Sequence, residues 1–315
     1  MATEKAPAAY DEDTPRGFAF ALTAYLLWGF LPLYMKAVGH IPALEVVAHR
    51  VIWSVPIAAV VLIWLGRTQD IRAAFKSPRT MGMALITAAL ITVNWCIYVW
   101  SVAAGRAIET ALGYYINPLF SIFLGAVLLR ESLDGRQKTA IALAAVAVAL
   151  LAWESGGLPW VSVGLALSWG FYAFFKKSLP VGPNQGFFLE VLVLTAPALG
   201  YIAYTEFNGT GHFGDTGMTD MLLLIGCGLV TAVPLMIYAN GAKLLRLSTI
   251  GIMQYIAPTM IFFIAVFIFK EPFGAYKLAA FVLIWIALAI YTSSLLRSRK
   301  ARQVAAASAP AAITD

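Results

Sequence analysis

The chain contains few of the residues that soluble proteins place on their surfaces or use as cross-links. Only 12% of its 315 residues are charged and 61% are hydrophobic, which is more apolar surface than a water-soluble domain of this length can bury. The two cysteines, Cys96 and Cys227, fall inside apolar runs, so we expect packing roles and neither a disulfide framework nor a metal site. The alternation typical of membrane barrel strands is missing too. These features predict an all-α integral membrane protein without cofactor or bound metal.

The sequence also lacks the signatures of an intramembrane enzyme. It contains neither H-E-x-x-H nor G-x-S-x-G, and its aspartates fall in predicted loops and tails, which excludes an aspartate dyad. We therefore predict that the protein is not an enzyme. A channel is a second alternative, although rings of like charge or carbonyls would be expected around its pore.

Ten apolar runs have about the 20 residues that cross a hydrocarbon core roughly 30 Å thick. They lie near residues 17–38, 43–65, 80–102, 107–129, 136–153, 158–179, 185–205, 219–243, 247–269 and 274–296. The first is too long for a signal peptide and follows an acidic segment, so we expect it to remain as a helix.

The basic residues predict the orientation of the ten spans. Most of the 22 Lys and Arg residues fall in the N-terminal tail, in the loops after predicted spans 2, 4, 6 and 8, and in the C-terminal tail. Basic residues concentrate on the cytoplasmic side of membrane proteins, so both termini should be cytoplasmic. This bias explains the net charge of +6 and favours anionic lipid as the partner. We predict no nucleic-acid partner.

The chain contains an internal repeat. RAIETALGYYINPLFSIFLGAVLLRE, from Arg106 to Glu131, returns as RLSTIGIMQYIAPTMIFFIAVFIFKE, from Arg246 to Glu271. We predict a cytoplasmic tail over 1–16, a first five-helix repeat over 17–153, a second over 158–296 and a disordered cytoplasmic tail over 297–315. Because five spans are an odd number, the second copy is inverted. Inverted repeats are typical of secondary transporters, with the substrate site near the midplane between the copies.

Ionisable residues inside the predicted spans are candidates for substrate binding and proton coupling. Arg50 lies in the second span beside Glu45 and His49, where an Arg needs a carboxylate, backbone carbonyls or a water-filled cavity. It could form a structural ion pair with Glu45 at the outer rim, or contact an anionic substrate group. Glu190 occupies the repeat position of His49. Glu190 and Glu45 are the candidates for proton coupling.

Two lysines near span ends are expected at the membrane interface, and four prolines inside spans predict helix bends. Lys36 and Lys177 lie close to span ends and are expected to extend to the interface. Prolines inside spans remove a backbone hydrogen bond and predict helix bends. These bends are predicted at Pro32, Pro118, Pro234 and Pro258.

Aromatic and amide residues mark the predicted substrate site. They cluster in corresponding spans of the two copies, where an unpaired amide would be costly unless it lines a cavity. Trp100, nearer a span end, is expected to be an interfacial anchor. With Arg50, the predicted substrate-binding residues are Asn94, Trp95, Tyr98, Tyr114, Tyr115, Asn117, Trp169, Tyr172, Tyr238, Gln254 and Tyr255.

Four segments resemble one known family. EVVAHRVIWS at 45–54, NWCIYVWSVAAG at 94–105, ETALGYYINPL at 109–119 and GLVTAVPLMIYANGAKLLRLSTIGIMQYIAPT at 228–259 are similar to the RarD branch of the EamA drug/metabolite transporter superfamily. The resemblance implies a ten-helix carrier in the bacterial inner membrane, related to exporters of amino acids and other small metabolites.

The resemblance and the aromatic site together favour a particular transport activity. We expect a monomeric secondary transporter that moves small metabolites, above all amino acids including aromatic and neutral ones, outward by alternating access. The alternative is an exporter of chloramphenicol-type drugs or of another metabolite.

Overall fold

The computed structural model describes residues 14–128, 130, 133–214, 216–242, 244–245 and 247–307. Most of the predicted N-terminal tail lies outside these residues, as do Glu131 and Arg246 at the repeat ends and the side chain of Lys177. The described residues fold into α-helices and one π-helix, with no β-strand among them. The elements are α1 (Pro15–Ala37), α2 (Ala43–Trp64), α3 (Gln69–Phe75), α4 (Pro78–Ala103), α5 (Ala107–Leu128), α6 (Gly135–Ser155), α7 (Trp160–Lys177), α8 (Pro183–Phe207), α9 (Met218–Ala242), α10 (Leu247–Met253), α11 (Ile256–Phe263), the π-helix Ile264–Ile268 and α12 (Ala275–Ala307).

The helices confirm the all-α membrane class. Within the described part of the chain, eight helices are long and apolar enough to cross a membrane. The sixth predicted span corresponds to α7, and the ninth to α10, α11 and the π-helix together. Helix α3, between the second and third spans, is not predicted, since seven residues are too few for a periodic pattern.

Two element ends differ from the sequence-based expectation. Helix α12 continues to Ala307, which corrects the expectation of disorder from residue 297; residues 308–315 lie outside the described part. The extension is rich in Ala, Arg and Gln, which are strong helix formers. Asp220 belongs to the first turn of α9 rather than to the preceding loop, because an acidic residue favours a helix N-terminus.

The ninth span is interrupted where the first copy has a continuous helix. Helix α10 ends at Met253 and α11 begins at Ile256, with Gln254 and Tyr255 in a turn between them. Pro258 lies in the first turn of α11, where its missing N–H has no intrahelical acceptor. The matching Pro118 lies inside α5, which continues through it. The two copies therefore have different backbone conformations at the same motif.

The ends of the two motif copies share a backbone feature. Arg130 and Lys270 occupy matching positions, and within the described residues they are the non-glycine residues with positive φ, at 55° and 53°. The next residue in the second copy, Glu271, accepts hydrogen bonds from the backbone N–H groups of Ala107 at 2.8 Å and Ile108 at 2.9 Å. A carboxylate satisfies the unpaired donors at a helix N-terminus. The end of the second copy thus caps α5 of the first.

The described residues form two compact units. The first comprises 14–117 and 160–272, and in it α2 packs on α8 and α9, α1 packs on α9, and α4 packs on α7. Gly228 allows the close approach of α9 to α2, since a β-carbon there would lie 2.3 Å from the carbonyl carbon of Trp53. Small residues permit such backbone contact between membrane helices. The approach brings Thr231, about one turn further on, toward α2.

The second unit comprises 118–159 and 273–307 and contains the packed pair α6 and α12. Asp134 caps α6, accepting a hydrogen bond from the backbone N–H of Gln137 at 2.7 Å and another from the hydroxyl of Ser294 on α12. The hydrogen bond from Ser294, followed by that from Gln137, holds the pKa of Asp134 below its ordinary value. Arg136 Nη1 also donates to Ser293 Oγ at 3.0 Å. These polar contacts tie the start of α6 to α12.

Candidate functional site

A continuous series of aromatic rings links α4, α5 and α7 inside the first unit. The ring centres of Tyr98 and Tyr114 are 6.0 Å apart, those of Tyr114 and Trp169 are 6.3 Å apart, and those of Trp169 and Tyr172 are 5.6 Å apart. These distances are those of interacting aromatic pairs. Four predicted site residues, two from each repeat, are therefore neighbours.

Asn94 connects the same three helices through its side-chain amide. Its Nδ2 donates to Ser168 Oγ at 3.0 Å and to the Leu165 carbonyl at 3.3 Å, and its Oδ1 accepts from the Tyr114 hydroxyl at 3.2 Å. The side chain is buried, and a buried amide with these partners stabilises the packing of α4 against α7. In this conformation Asn94 holds Tyr114 in place.

A second aromatic cluster lies between α1 and α9. The rings of Tyr25, Trp28 and Tyr238 contact one another, with centres 5.3 to 5.6 Å apart. In the alignment of the two repeats, Trp28 matches Trp169 and Tyr98 matches Tyr238. Each of the two aromatic clusters therefore combines residues of both repeats, and Tyr238 lies in the second cluster rather than beside Tyr114.

Tyr115 and Tyr255, which are themselves repeat mates, stack at the interruption of the ninth span. Their ring centres are 6.3 Å apart at an interplanar angle of 23°, and the Tyr115 hydroxyl lies 2.6 Å from Thr259 Oγ1 on α11. Gln254, in the same turn, is partly buried. Asn117 is buried, and its Oδ1 has no hydrogen-bond partner in the described part of the chain.

Arg50 is buried on α2, with 3% of its surface exposed. Its Nε donates to Thr231 Oγ1 at 2.9 Å, and its guanidinium carbon lies 4.7 Å from the ring centre of Trp95. The Thr231 hydroxyl donates in turn to the Cys227 carbonyl at 2.7 Å, so it presents a lone pair to Arg50. Arg50 Nη1 is buried and has no hydrogen-bond partner among the described residues.

Glu45 binds His212 and forms no described ion pair with Arg50. Glu45 Oε1 accepts from the backbone N–H of His212 at 2.6 Å, and Oε2 lies 2.8 Å from the His212 Nδ1 atom. The Glu45–Arg50 ion pair that the sequence allowed is therefore not formed. Glu45 instead holds the loop between α8 and α9, whose role the sequence did not indicate.

The three histidines of the chain lie together at this end of the first unit. His49 accepts a hydrogen bond from Trp53 Nε1 at 3.2 Å and stacks on Phe213 of the loop, with ring centres 5.0 Å apart. His40 Nε2 lies 3.0 Å from Asp220 Oδ1, and the ring centres of His40 and His212 are 6.5 Å apart. The loop thus covers the start of α2. Within the described residues, no group of His, Cys, Asp or Glu is arranged to hold a metal.

Glu190 is buried on α8 with 1% exposure, and α7 supplies both of its described partners. Lys176 Nζ lies 2.6 Å from Glu190 Oε1, and the Tyr172 hydroxyl donates to Oε2 at 3.2 Å. The sequence singled out Lys177 by its repeat mate Lys36, but Lys176 is four residues after Tyr172 and therefore shares its helix face.

Basic residues near the span ends contact aromatic rings. Lys36 lies 5.6 Å from the ring centre of Phe269. Arg106 pairs with Glu109 at 2.8 Å and lies 5.7 Å from the ring centre of Trp100. Pro32 and Pro234 lie inside α1 and α9.

The structure thus joins five predicted site residues into one network of α4, α5 and α7, namely Asn94, Tyr98, Tyr114, Trp169 and Tyr172. It leaves Tyr115, Tyr255 and Tyr238 in separate contacts, and it adds partners that the sequence did not reveal. The added partners are Tyr25, Ser168, Lys176, His212, Thr231 and Thr259. A groove of about 400 Å³ between α1 and α9 lies apart from this network, and it is lined by apolar side chains such as Leu27, Leu33 and Val230.

Comparisons with known proteins agree with this architecture. The model of the EamA-like transporter family matches residues 15–153 and 157–293. The chain is 39% identical over 295 residues to Protein RarD of Streptomyces exfoliatus, covering 93% of this chain and 94% of the relative. It is 30% identical over 294 residues to the Chloramphenicol-sensitive protein RarD of Pseudomonas aeruginosa, covering 91% and 98%. A protein of known crystal structure shares the fold with a TM-score of 0.58 at 18% identity, covering 90% of this chain and 98% of that one. These matches confirm the ten-span fold of two inverted repeats.

Proposed function

Because the chain belongs to the EamA-like transporter family, in its RarD branch, we propose that it moves amino acids out of the cell by alternating access. Family membership establishes a transporter of the bacterial inner membrane and excludes an enzyme. The substrate class and the outward direction are the proposal. The observation that carries it is the buried Arg50, whose Nη1 is without a partner among the described residues beside an aromatic network supplied by both repeats.

Amino acids fit the chemistry of this network. Aromatic ring faces attract an ammonium group and also accept apolar side chains, and such faces are supplied by Tyr98, Tyr114 and Trp169. A guanidinium is the usual protein partner of a carboxylate. An amino acid with a neutral or aromatic side chain could place its ammonium group and its side chain on the ring faces and its carboxylate on the guanidinium.

The proposed movement is a rocking of helices about the central network. Pro32, Pro118 and Pro258 are the proposed bends, where a missing backbone hydrogen bond lowers the resistance to bending. The contact of Tyr115 with Thr259 joins the two motif copies and would separate during transport. Both termini lie in the cytoplasm in this proposal. One chain suffices because it already contains both repeats.

Two buried carboxylates are candidates for proton coupling. Glu190 and Glu45 each have both oxygens engaged, the first by Lys176 and Tyr172 and the second by His212. Protonation of either would weaken its charged contacts and release the helix or loop that it holds.

Uptake into liposomes tests the proposal. The purified protein would be reconstituted, and uptake of labelled phenylalanine, threonine and methionine measured with and without a pH gradient. Saturable uptake without the gradient indicates facilitation; a requirement for the gradient indicates coupling and directs attention to Glu190 and Glu45. Replacement of Tyr115 or Tyr255 by Ala should lower uptake at equal expression, and unchanged uptake in both variants contradicts the proposed site.

Drug export is the second candidate, supported by the name of the Pseudomonas aeruginosa relative. Chloramphenicol has no carboxylate, so it would use the aromatic rings without Arg50. Labelled chloramphenicol in the same liposomes decides between the two, since uptake of the drug with no uptake of any amino acid favours the second candidate.

A further inference from the structure

We propose that Arg50 and Tyr98 form a subsite for the carboxylate group of the substrate. The inference rests on the proposed transport of amino acids and specifies which atoms would recognise them. Arg50 Nη1 and the Tyr98 hydroxyl are both buried, and neither has a hydrogen-bond partner among the residues that the structure describes. A carboxylate has two oxygens that can accept from these two donors.

The buried carboxylates of the described residues bind groups other than Arg50. Glu45 uses both oxygens on His212, Glu190 uses both on Lys176 and Tyr172, and Glu271 uses both on the N-terminus of α5. No ion pair to Arg50 is formed within the described part of the chain. Among the described residues Arg50 thus has no carboxylate as counter-charge, and a bound anion could supply one.

Burial of the Arg50 guanidinium has an energetic cost. Insertion scales put an Arg at the centre of a membrane helix at on the order of 2.5 to 3.5 kcal/mol, and a buried charge remains unfavourable unless it is paired. The ring of Trp95 and the hydroxyl of Thr231 offset part of this cost. A cost that the protein leaves partly uncompensated is one that a bound anion can relieve.

The contacts of Arg50 fix the direction in which its guanidinium points. Trp95 lies over the guanidinium and Thr231 occupies its Nε donor, while Nη1 is buried without a hydrogen-bond partner among the described residues. Arginine binds carboxylates through in-plane N–H groups with fixed geometry. The side chain is thus held in one orientation with an edge left for a ligand.

Tyr98 supplies the second donor. It lies three residues after Trp95 on α4 and therefore on the same helix face, and it is an electrostatic neighbour of Arg50. The nearby Tyr114 hydroxyl is already used on Asn94. Because the Tyr98 ring also contacts Tyr114, a carboxylate here would place the rest of its molecule near the aromatic series.

The predicted ligand class is a small monocarboxylate, with α-amino acids as the transported members. An amide of the same acid keeps the side chain and the amine but loses the negative charge. Recognition of a charged group by a buried guanidinium should separate acid from amide by at least tenfold in affinity, since removal of a buried charged hydrogen bond is costly.

The experiment measures ligand binding by tryptophan fluorescence, without requiring transport. The purified protein in detergent would be titrated with sodium benzoate, benzamide, phenylalanine and phenylalaninamide, and the signal of Trp95 would be isolated by comparison with Trp95→Phe. We expect both acids to change the Trp95 signal, with dissociation constants at least tenfold below those of the matched amides. Equal affinities for acid and amide would overturn the proposal.

Variants of Arg50 and Tyr98 test the same subsite in the binding experiment. Arg50→Gln should abolish the preference for the acid, and Arg50→Lys should retain part of it, because an ammonium keeps the charge but not the planar fork. If Arg50→Gln does not fold, Arg50→Lys and Tyr98→Phe provide the comparison, with a reduced acid preference expected in both. An unchanged preference in the folded variants contradicts the subsite.

The outcomes also separate this inference from the proposed function. Binding of benzoate and phenylalanine without uptake of any amino acid supports the subsite and contradicts amino-acid transport. Uptake of amino acids with equal binding of acids and amides supports transport and overturns the subsite.

Discussion

The hydroxyl of Thr231 helps to set the orientation of the Arg50 guanidinium. It accepts from Arg50 Nε while donating to the Cys227 carbonyl, so removal of the hydroxyl leaves another donor of the guanidinium without a partner. We predict that Thr231→Val weakens phenylalanine binding by about tenfold, the lower end of the effect expected from one buried hydrogen bond to a charged group, which contributes about 1.5 to 3 kcal/mol.

The matched control is Thr231→Ser, which keeps the hydroxyl and should bind phenylalanine with nearly unchanged affinity. Binding is measured by the Trp95 fluorescence titration, and thermal unfolding in detergent monitors the fold. Equal affinities in the two variants would show that the hydroxyl does not position Arg50.

The Glu190–Lys176 pair provides a prediction about stability. Replacing Lys176 by Met leaves a carboxylate with 1% side-chain exposure beside Tyr172 without its counter-charge, and breaking a buried pair costs about 3 kcal/mol. The lysine side chain is 20% exposed, so solvent screening places the loss at or below that figure. We expect a lower unfolding temperature in detergent for Lys176→Met.

A double-mutant cycle identifies the cause of this loss. Glu190→Gln in the Lys176→Met background should recover part of the stability, because no buried charge remains unpaired. If the double variant loses as much as the two single variants together, the two side chains do not interact.

The sequence identified residue types better than it identified their partners. Arg50 and Glu45 are singled out in the second span and are buried there, but their spacing could not show that a loop more than a hundred residues later supplies His212 to Glu45. Lys176 was missed for a related reason. Its partner Glu190 belongs to the next helix, and a single sequence contains no signal for contacts between helices beyond which residues share a face.

The loop between α8 and α9 packs on the start of α2 through side-chain and backbone contacts. Its His212 backbone N–H donates to Glu45, and its Phe213 ring stacks on His49. We predict that Glu45→Ala accelerates hydrogen exchange at the His212 amide by about tenfold for each 1.4 kcal/mol of lost local stability.

Two variants sharpen that measurement. Glu45→Gln keeps one acceptor oxygen and should give an intermediate rate, whereas Glu109→Ala removes a carboxylate that pairs with Arg106 and should leave the His212 amide unchanged. The loop is not held by Glu45 if exchange in Glu45→Ala matches that of the unaltered protein.

The cap between α6 and α12 gives a prediction about pH. The pKa of Asp134 is lowered in the folded protein by hydrogen bonds from Ser294 and Gln137. A lowered folded-state pKa contributes stability above the unfolded value of about 3.9, and this contribution is lost as the pH falls through the folded-state pKa.

Asp134→Asn tests this contribution because Asn also caps helices well; it removes the charge and the acceptor oxygen that Ser294 uses, and it keeps an acceptor for the Gln137 N–H. At pH 7 the variant should be less stable by about 0.5 kcal/mol, the usual effect of a charge at a helix N-terminus. The difference should begin to fall below about pH 4 and disappear once the pH is below the folded-state pKa, as measured by thermal unfolding in detergent across the pH range. A difference as large at pH 3 as at pH 7 contradicts the electrostatic explanation.

The helix boundaries show which elements the sequence predicts well. Long apolar runs predict the ends of the spans closely. Helix α2, for example, is predicted over 43–65 and runs from Ala43 to Trp64. The same reasoning could not predict that α5 continues through Pro118 while the ninth span ends and restarts before Pro258. A proline permits either outcome, and the packing around it decides.

In the whole molecule, the boundaries of the two sequence repeats differ from those of the two compact units. Each repeat contributes helices to both compact units. Repeat mates nevertheless meet directly, as Tyr115 and Tyr255 do. The repeat could be identified from the sequence because matching residues recur in the same order, whereas the compact units depend on contacts that the sequence does not contain.

The difference between the two copies leads to the last prediction. At matching positions one copy has a continuous helix and the other an interrupted one. In inverted repeats, exchanging the two conformations between the copies produces the state that opens to the opposite side of the membrane. The two states would differ little in free energy, so a bound substrate would be carried in both directions.

Such a carrier must show counterflow. We predict that liposomes preloaded with unlabelled phenylalanine accumulate labelled phenylalanine transiently to several times its equilibrium level, because the loaded site returns faster than the empty one. Liposomes without preloading should approach equilibrium without an overshoot, and a variant with Tyr255→Ala should show a smaller one. A continuous pore exposes its sites to both sides at once, so a protein that takes up phenylalanine with no overshoot after preloading would be a channel rather than a carrier.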